Sequence, residues 1–312
     1  MRSIRIMTAF FCAAAAAMSI VGCNQTDRPF SNSKETNVET QYPMTVEDSF
    51  GNVVTIESEP QRVISVGPSI TENIFAIGAG DKLVGRTDYC DFPEEALLVD
   101  SIGALDVPDV EMIVSLEPDL VIASSIFTEE SYTKLTELGI TVLVLHNEYD
   151  VSGVYETIET LGKILNVSEK ATEVSEAMET SITKTQEMIA GRDAPSVYYV
   201  VWYDEFGDYT AGGDTFVGTL LTMAGGANIA QDVSGWTYSL ESLIEADPYI
   251  IILPIGMKDG FVTAENYQDL SAVINNRVYE IDNNLLERQG YRNAEGIRTL
   301  AEICYPDAFA GQ

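Results

Sequence analysis

One histidine, His146, stands in the whole chain of 312 residues, beside four cysteines and two tryptophans. A histidine-ligated metal site normally draws on several imidazoles, so free Zn²⁺ or Mn²⁺ is a poor expectation for cargo. Basic residues are also scarce: 17 lysines and arginines face 49 aspartates and glutamates, a formal charge of −32. Nucleic-acid binding rests on cations that neutralise phosphates, so the balance disfavours that partner class and none is expected. The same balance argues against an electrostatic grip on anionic lipid, and the usual service of such a charge is solubility. There is no Gly-x-Ser-x-Gly, no Gly-rich phosphate loop with its lysine and no Cys-x-x-Cys. An enzyme, such as an exported hydrolase, would need a constellation of that kind. The expectation is a protein with no catalytic residue, no metal site and no cofactor of its own.

The front end is a targeting segment. Arg2 and Arg5 precede an apolar, alanine-rich stretch from Ile6 to Val21, the pattern of a secretory signal. Ile20-Val21-Gly22-Cys23 resembles a bacterial lipobox, which implies removal of residues 1–22 and lipidation of Cys23. A plain signal peptide with an incidental cysteine is the alternative. Without Arg2 and Arg5 the balance is 15 basic against 49 acidic residues, near −34. A covalent lipid would therefore have to hold the chain at the outer face of the cytoplasmic membrane. Residues 23–43 are polar and read as a flexible tether. Of the cysteines beyond it, Cys90 falls in the first half and Cys304 in the last helical segment. An exported pair is compatible with a disulfide, but a bridge would clamp the two halves, so free thiols are expected.

The chain is organised around residues 168–191. Ala171, Val174, Met178, Ile182 and Ile189 recur at helical spacing. Ser168 suits an N-cap and Glu169 the positive end of the dipole; Gly191 suits a stop, with Pro195 soon after. Such a helix would run on the order of 30 Å. It is either a strut between two lobes or a surface helix of one larger domain.

Strand-like and helix-like segments alternate on both sides, the signature of α/β lobes with parallel strands. Met44 to Ile56 alternates as a hairpin, and Arg62 to Gly67 is a short apolar run suited to a buried parallel strand. Ser69 followed by Glu72 reads as a capping box opening a helix. That arrangement turns backbone N–H groups toward whatever lies above the sheet. Ligands on such sheets sit beyond the carboxyl ends of the strands, which places Tyr89, Ser124 and His146 near a cleft. The second half supplies strands at 196–203, 249–253 and 278–281, and helices at 214–224 and 294–304. Residues 109–122 and 239–252 echo one another: a capping residue, a Glu two places later (Glu111, Glu241), a short helix, a proline seven beyond the Glu, then an apolar strand. The shared spacing argues for two similar lobes. The two glutamates favour the helix dipole, and as a pseudo-symmetric pair they also suit a two-fold partner.

Several motifs are specific enough to carry a resemblance. They are Arg62-Val63-Ile64-Ser65 with Pro68-Ser69-Ile70-Thr71-Glu72, Gly80-Asp81-Lys82-Leu83-Val84-Gly85, Asp88-Tyr89-Cys90-Asp91-Phe92-Pro93, and residues 111–123. Together they resemble the N-terminal lobe of the vitamin B12 and iron-chelate substrate-binding proteins of ABC importers. The similarity continues more weakly through residues 213–253.

The resemblance implies two Rossmann-like α/β lobes joined by one long helix, the helical-backbone periplasmic-binding-protein fold, with a ligand held between the lobes. The lobes are expected at 44–167 and 192–312. It implies a monomer that docks on an ABC permease dimer, with Glu111 and Glu241 at the positions that pair with permease arginines. It places Ser69, Tyr89, Ser124, Trp202, Trp236, Arg288 and Arg292 at or near the ligand. Ser124 departs from the pattern, since B12-binding members often carry an aromatic there. Tryptophan suits a large planar macrocycle. Arg288 and Arg292 are two of few cations and could hold carboxylate or amide groups. The expected ligand is cobalamin, with haem or a ferric siderophore as the alternative; a highly anionic catecholate complex would meet repulsion unless the cleft were locally basic. From a different class, a surface receptor or adhesin lipoprotein on a transporter fold is the competing reading.

Overall fold

The computed structural model describes residues 39–146, 150–204 and 207–311. The signal segment and Cys23 lie outside the described residues. The first strands, β1 (Met44–Glu47) and β2 (Val53–Ile56), form the expected antiparallel hairpin with Met44 opposite Ile56. Asp48 fixes its turn by accepting from the backbone N–H of Phe50 (3.0 Å) and Asn52 (2.7 Å).

The N-terminal lobe follows as β3 (Val63–Val66), α1 (Pro68–Ala76), β4 (Leu83–Arg86), α2 (Val110–Ser115), β5 (Leu120–Ala123), α3 (Glu129–Glu137), β6 (Val142–Val144) and α4 (Val151–Ile164). Its sheet runs β4-β3-β5-β6, all parallel. β3, β5 and β6 are buried at every position, which is why they read as unbroken apolar runs. Ser69 and Glu72 do not form the expected capping box. Pro68 opens α1 after Gly67, no side chain caps it, and Glu72 is buried in other company described below. Proline at the first helical position supplies the start signal instead.

The long helix α5 spans Ser168–Ile189. Ser168 is its first residue rather than its cap; Val167 precedes it, with no side-chain cap. The reason is the tight corner from α4, where Asn166 turns at φ 59° and Gly162 meets α5. A Cβ on Gly162 would lie 2.3 Å from the Ala171 Cβ, so the two helices close only on glycine. Ala171, Met178, Ile182 and Ile189 of α5 belong to one continuous apolar core that reaches Ile122 and Leu161 on one side and Val197 and Leu220 on the other. α5 is thus a strut whose buried face joins the lobes, not a helix of one lobe alone. Each lobe keeps a second core of its own on the far face of its sheet.

The C-terminal lobe comprises β7 (Ser196–Asp204), β8 (Gly207–Thr210), α6 (Phe216–Met223), β9 (Ala227–Asn228), β10 (Thr237–Tyr238), α7 (Leu240–Ala246), β11 (Ile250–Pro254), α8 (Lys258–Thr263), α9 (Ser271–Ile274), β12 (Val278–Ile281), α10 (Asn284–Glu287) and α11 (Asn293–Cys304). Its sheet runs β10-β8-β7-β11-β12, with β9 also on β7. β9, β7, β11 and β12 pair in parallel, while β8 and β10 add an antiparallel extension. The internal echo has a structural counterpart. Asp109 and Ser239 cap α2 and α7 by accepting from the N–H three residues on. Each helix then leaves through a left-handed residue before proline, Glu117 (φ 46°) and Asp247 (φ 37°). Cys90 is buried beside Thr87 Oγ1 at 3.2 Å, and Cys304 on α11 is a second free thiol whose pKa burial pushes up to about 12. Among the described residues no helix is long and apolar enough to cross a membrane.

Candidate functional site

A cleft of about 640 Å³ opens between the lobes. From the N-terminal lobe it is lined by Ser69 and Ile70 of α1, Ser124 and Ser125 after β5, Leu145 and His146 after β6, and Val154 and Thr157 of α4. The C-terminal lobe contributes Val201 of β7, the run 214–217 into α6, Gly235 and Trp236 before β10, and Glu287 and Gln289 beside α10. These are mostly residues just past strand ends or in first helical turns, where α/β sheets collect ligands.

Two glycine contacts build the walls. Gly67 lets the chain pass so close to Ser124 that a Cβ there would lie 2.2 Å from Ser124 Oγ. That contact brings the ends of β3 and β5 together and sets Ser69 and Ser124 on one wall. Opposite, a Cβ on Gly212 would lie 2.4 Å from the Val233 carbonyl oxygen. The Gly212 N–H donates to the Gly235 carbonyl (2.9 Å), and the Thr210 N–H to that of Trp236 (2.8 Å). The loop carrying Trp236 is therefore laid directly on the backbone before α6.

The charge of the cleft is one-sided. Asp214 and Glu287 line it, and no lysine or arginine does among the described residues. Asp214 accepts from Ser234 Oγ (2.5 Å) and the Gly235 N–H (2.7 Å), and these bonds hold its carboxyl below the ordinary value. Glu287 accepts from Asn283 Nδ2 (2.9 Å) and meets Tyr199 Oη at 3.5 Å. The protein crowded around this carboxylate desolvates it and raises its pKa, against the bonds that would lower it. His146 is anchored through its backbone, its N–H donating to Ser49 Oγ at 3.0 Å.

Of the residues expected at a ligand, Ser69, Ser124 and Trp236 come together in this lining, with His146 beside them. Four others lie outside it. Tyr89 sits in the loop after β4 and is 57% exposed. Trp202 projects from β7, 55% exposed, as the cross-strand neighbour of Tyr209. Arg288 and Arg292 face α1 instead. Arg288 Nη1 donates to Glu72 Oε1 and to Asp91 Oδ1, each at 2.7 Å, and Arg292 Nη1 reaches Glu72 at 3.5 Å. At Asp91 burial is the largest single influence and raises the pKa, but the bond to Arg288, its charge and that of Arg292 together lower it; at Glu72 burial outweighs both guanidiniums and raises it. Glu111 and Glu241 are exposed in the first turns of α2 and α7. Asp214, Glu287 and Gln289 were not singled out from sequence. The one available signal was Gly212-Gly213-Asp214-Thr215, where glycines mark a close approach and Thr215 Oγ1 caps α6 by accepting from the Gly218 N–H at 3.0 Å.

No cluster of three or more metal-ligating side chains occurs among the described residues. The arrangement can enclose an uncharged or cationic body against one indole, two carboxylates and a set of hydroxyls.

The model of the periplasmic binding protein family matches residues 63–285. An uncharacterized ABC transporter substrate-binding lipoprotein of Bacillus subtilis is 34% identical over 304 residues, covering 94% of this chain and 95% of its own. A cobalamin-binding protein of Halobacterium salinarum is 28% identical over 281 residues, covering 87% of this chain and 75% of its own. The fold is shared with a solved periplasmic heme-binding protein of Roseiflexus, at a TM-score of 0.73 and 23% identity over 80% of this chain and 99% of that one.

Proposed function

This chain belongs to the periplasmic binding protein family, and we propose that its cleft captures a corrinoid and that the chain hands it to an ABC permease. The coarser role is that of the substrate-binding component of an ABC importer, a transport part with no chemical step. The observation that supports the corrinoid is the charge of the lining: Asp214 and Glu287, with no facing cation among the described residues. Haem with its propionates, or a catecholate iron complex, would bring anionic oxygens toward those carboxylates. A corrinoid brings neutral side-chain amides, which pair with carboxylates and hydroxyls alike, and a flat macrocycle for Trp236. The cobalamin-binding relative points the same way. Glu111 and Glu241, exposed at matching first turns, supply the contacts to the two permease subunits, and the lipid on Cys23 keeps the protein near them.

The test is a tryptophan-fluorescence titration of the full chain in detergent with cyanocobalamin, haem and ferric siderophores, corrected for absorbance. Trp202 and Trp236 are the two tryptophans of the chain. Saturable quenching by cyanocobalamin, much reduced in Trp236→Phe, is expected. Quenching by an iron chelate alone would overturn the corrinoid reading and leave the importer role in place.

A further inference from the structure

The two arginines that face away from the cleft lie at the join between the lobes. Glu72 of α1 is 1% exposed, and its carboxylate is shared by Arg288 (2.7 Å) and Arg292 (3.5 Å) from the opposite lobe. Arg288 is held further by Asp91 (2.7 Å) and by the Tyr89 carbonyl (3.3 Å), both in the N-terminal lobe. Arg292 lies over the Phe92 ring at 4.0 Å and reaches Asp282 at 3.4 Å. The backbone between the arginines joins in: Asn73 Nδ2 donates to the Gln289 carbonyl (3.4 Å), and the Tyr291 N–H donates to Asn73 Oδ1 (3.1 Å). Gly290 is the point of closest approach, where a Cβ would lie 3.0 Å from Asn73 Oδ1.

This segment of the C-terminal lobe has two sides. Glu287 and Gln289 line the cleft, while Arg288 and Arg292 lie against α1 and the loop of Tyr89 to Phe92. We propose that Glu72, Arg288 and Arg292 form an interlobe pin that fixes the cleft width and presents Glu287 and Gln289 to the ligand, without touching the ligand themselves. Removing the Glu72 charge leaves the two largely buried guanidiniums only the more exposed Asp91 and Asp282, so the join loosens rather than relaxing in place. The proposal rests on the cleft as the ligand site, but its geometric part does not depend on which ligand is bound.

The experiment is Glu72→Gln in the full chain, carrying spin labels at Thr133 on α3 and Thr263 on α8, both exposed and in opposite lobes. Interlobe distances are measured by pulsed electron–electron resonance without ligand, and cyanocobalamin dissociation by stopped flow. The pin predicts a longer and broader distance distribution and dissociation at least about tenfold faster. Arg192→Gln is the control. It breaks the Arg192–Asp307 ion pair within the C-terminal lobe and leaves both readouts unchanged. If Glu72→Gln does not fold, Asp91→Asn keeps the buried Glu72–Arg288 contact and is expected to move both readouts less, in the same direction. A distance distribution identical to that of the unsubstituted chain, in whichever variant folds, overturns the pin. A widened distribution in a protein that binds no corrinoid supports the pin and overturns the corrinoid instead.

Discussion

Asn293, the first residue of α11, governs the wall that carries Glu287 and Gln289. It is 0% exposed. Its Nδ2 donates to the carbonyls of Leu285 and Arg288, each at 2.9 Å, and its Oδ1 accepts from the Gly290 N–H at 2.8 Å. Asn293→Ala removes all three bonds from a site water does not reach. At about 1 kcal/mol net per intramolecular bond, the loss is about 3 kcal/mol, and more if the Gly290 N–H or a carbonyl is left buried without a partner. Asn293→Asp is the sharper probe, because an oxygen replaces the donor that faces two carbonyls. It is expected to be at least as destabilising at neutral pH. Urea unfolding followed by circular dichroism gives the stability difference. Titration of cyanocobalamin at a urea concentration where both proteins are folded gives the effect on the wall. The expected results are a loss of about 3 kcal/mol and weaker binding in the folded variant. A loss under about 1 kcal/mol would show that the loop does not depend on this side chain and refute the reasoning.

Other perturbations reach other parts of the account. Gly212→Ala puts a methyl group 2.4 Å from the Val233 carbonyl oxygen, so the Trp236 loop must lift; weaker ligand quenching is expected, with α6 intact by circular dichroism. Lys82→Met removes the donor that holds the Glu59 pKa down, 2.6 Å from its carboxylate. Because that folded-state pKa is depressed, the stabilisation is present above the unfolded value and fades as pH falls through the folded one. The variant is therefore expected to be less stable than the parent at about pH 7 and to approach it at about pH 3, measured by urea unfolding. Charge reversal at both Glu111 and Glu241 is expected to abolish uptake in cells while leaving ligand affinity unchanged in solution. Intact uptake would favour a receptor role over delivery.

What could be read from the sequence was local and periodic. α5 declared itself through apolar spacing, β3 and β5 through unbroken apolar runs, and the two lobes through the matched spacing of 109–122 and 239–252. β8 and β10 were missed because strands of four and two residues carry too little period. The capping-box pattern at Ser69 and Glu72 satisfied a local rule that a tertiary contact overrode, since the two arginines offered Glu72 more than a backbone N–H could. No spacing announces a partner 216 residues away. Arg288 and Arg292 were expected at the ligand because the family resemblance places them there and cations are rare in this chain; the same rarity fits their use against the buried Glu72. Asp214 escaped notice because an acid before a helix reads as dipole chemistry, and its place in the cleft depends on how the Gly212 turn meets the Trp236 loop.

The most direct measurement of the central claim is equilibrium dialysis of the full chain against equimolar cyanocobalamin and haem together, with the bound fraction read by absorbance. An acidic cleft built for an amide-bearing macrocycle predicts retention of cyanocobalamin at one per chain, with haem left outside. Retention of haem in its place would contradict the charge argument on which the corrinoid reading stands.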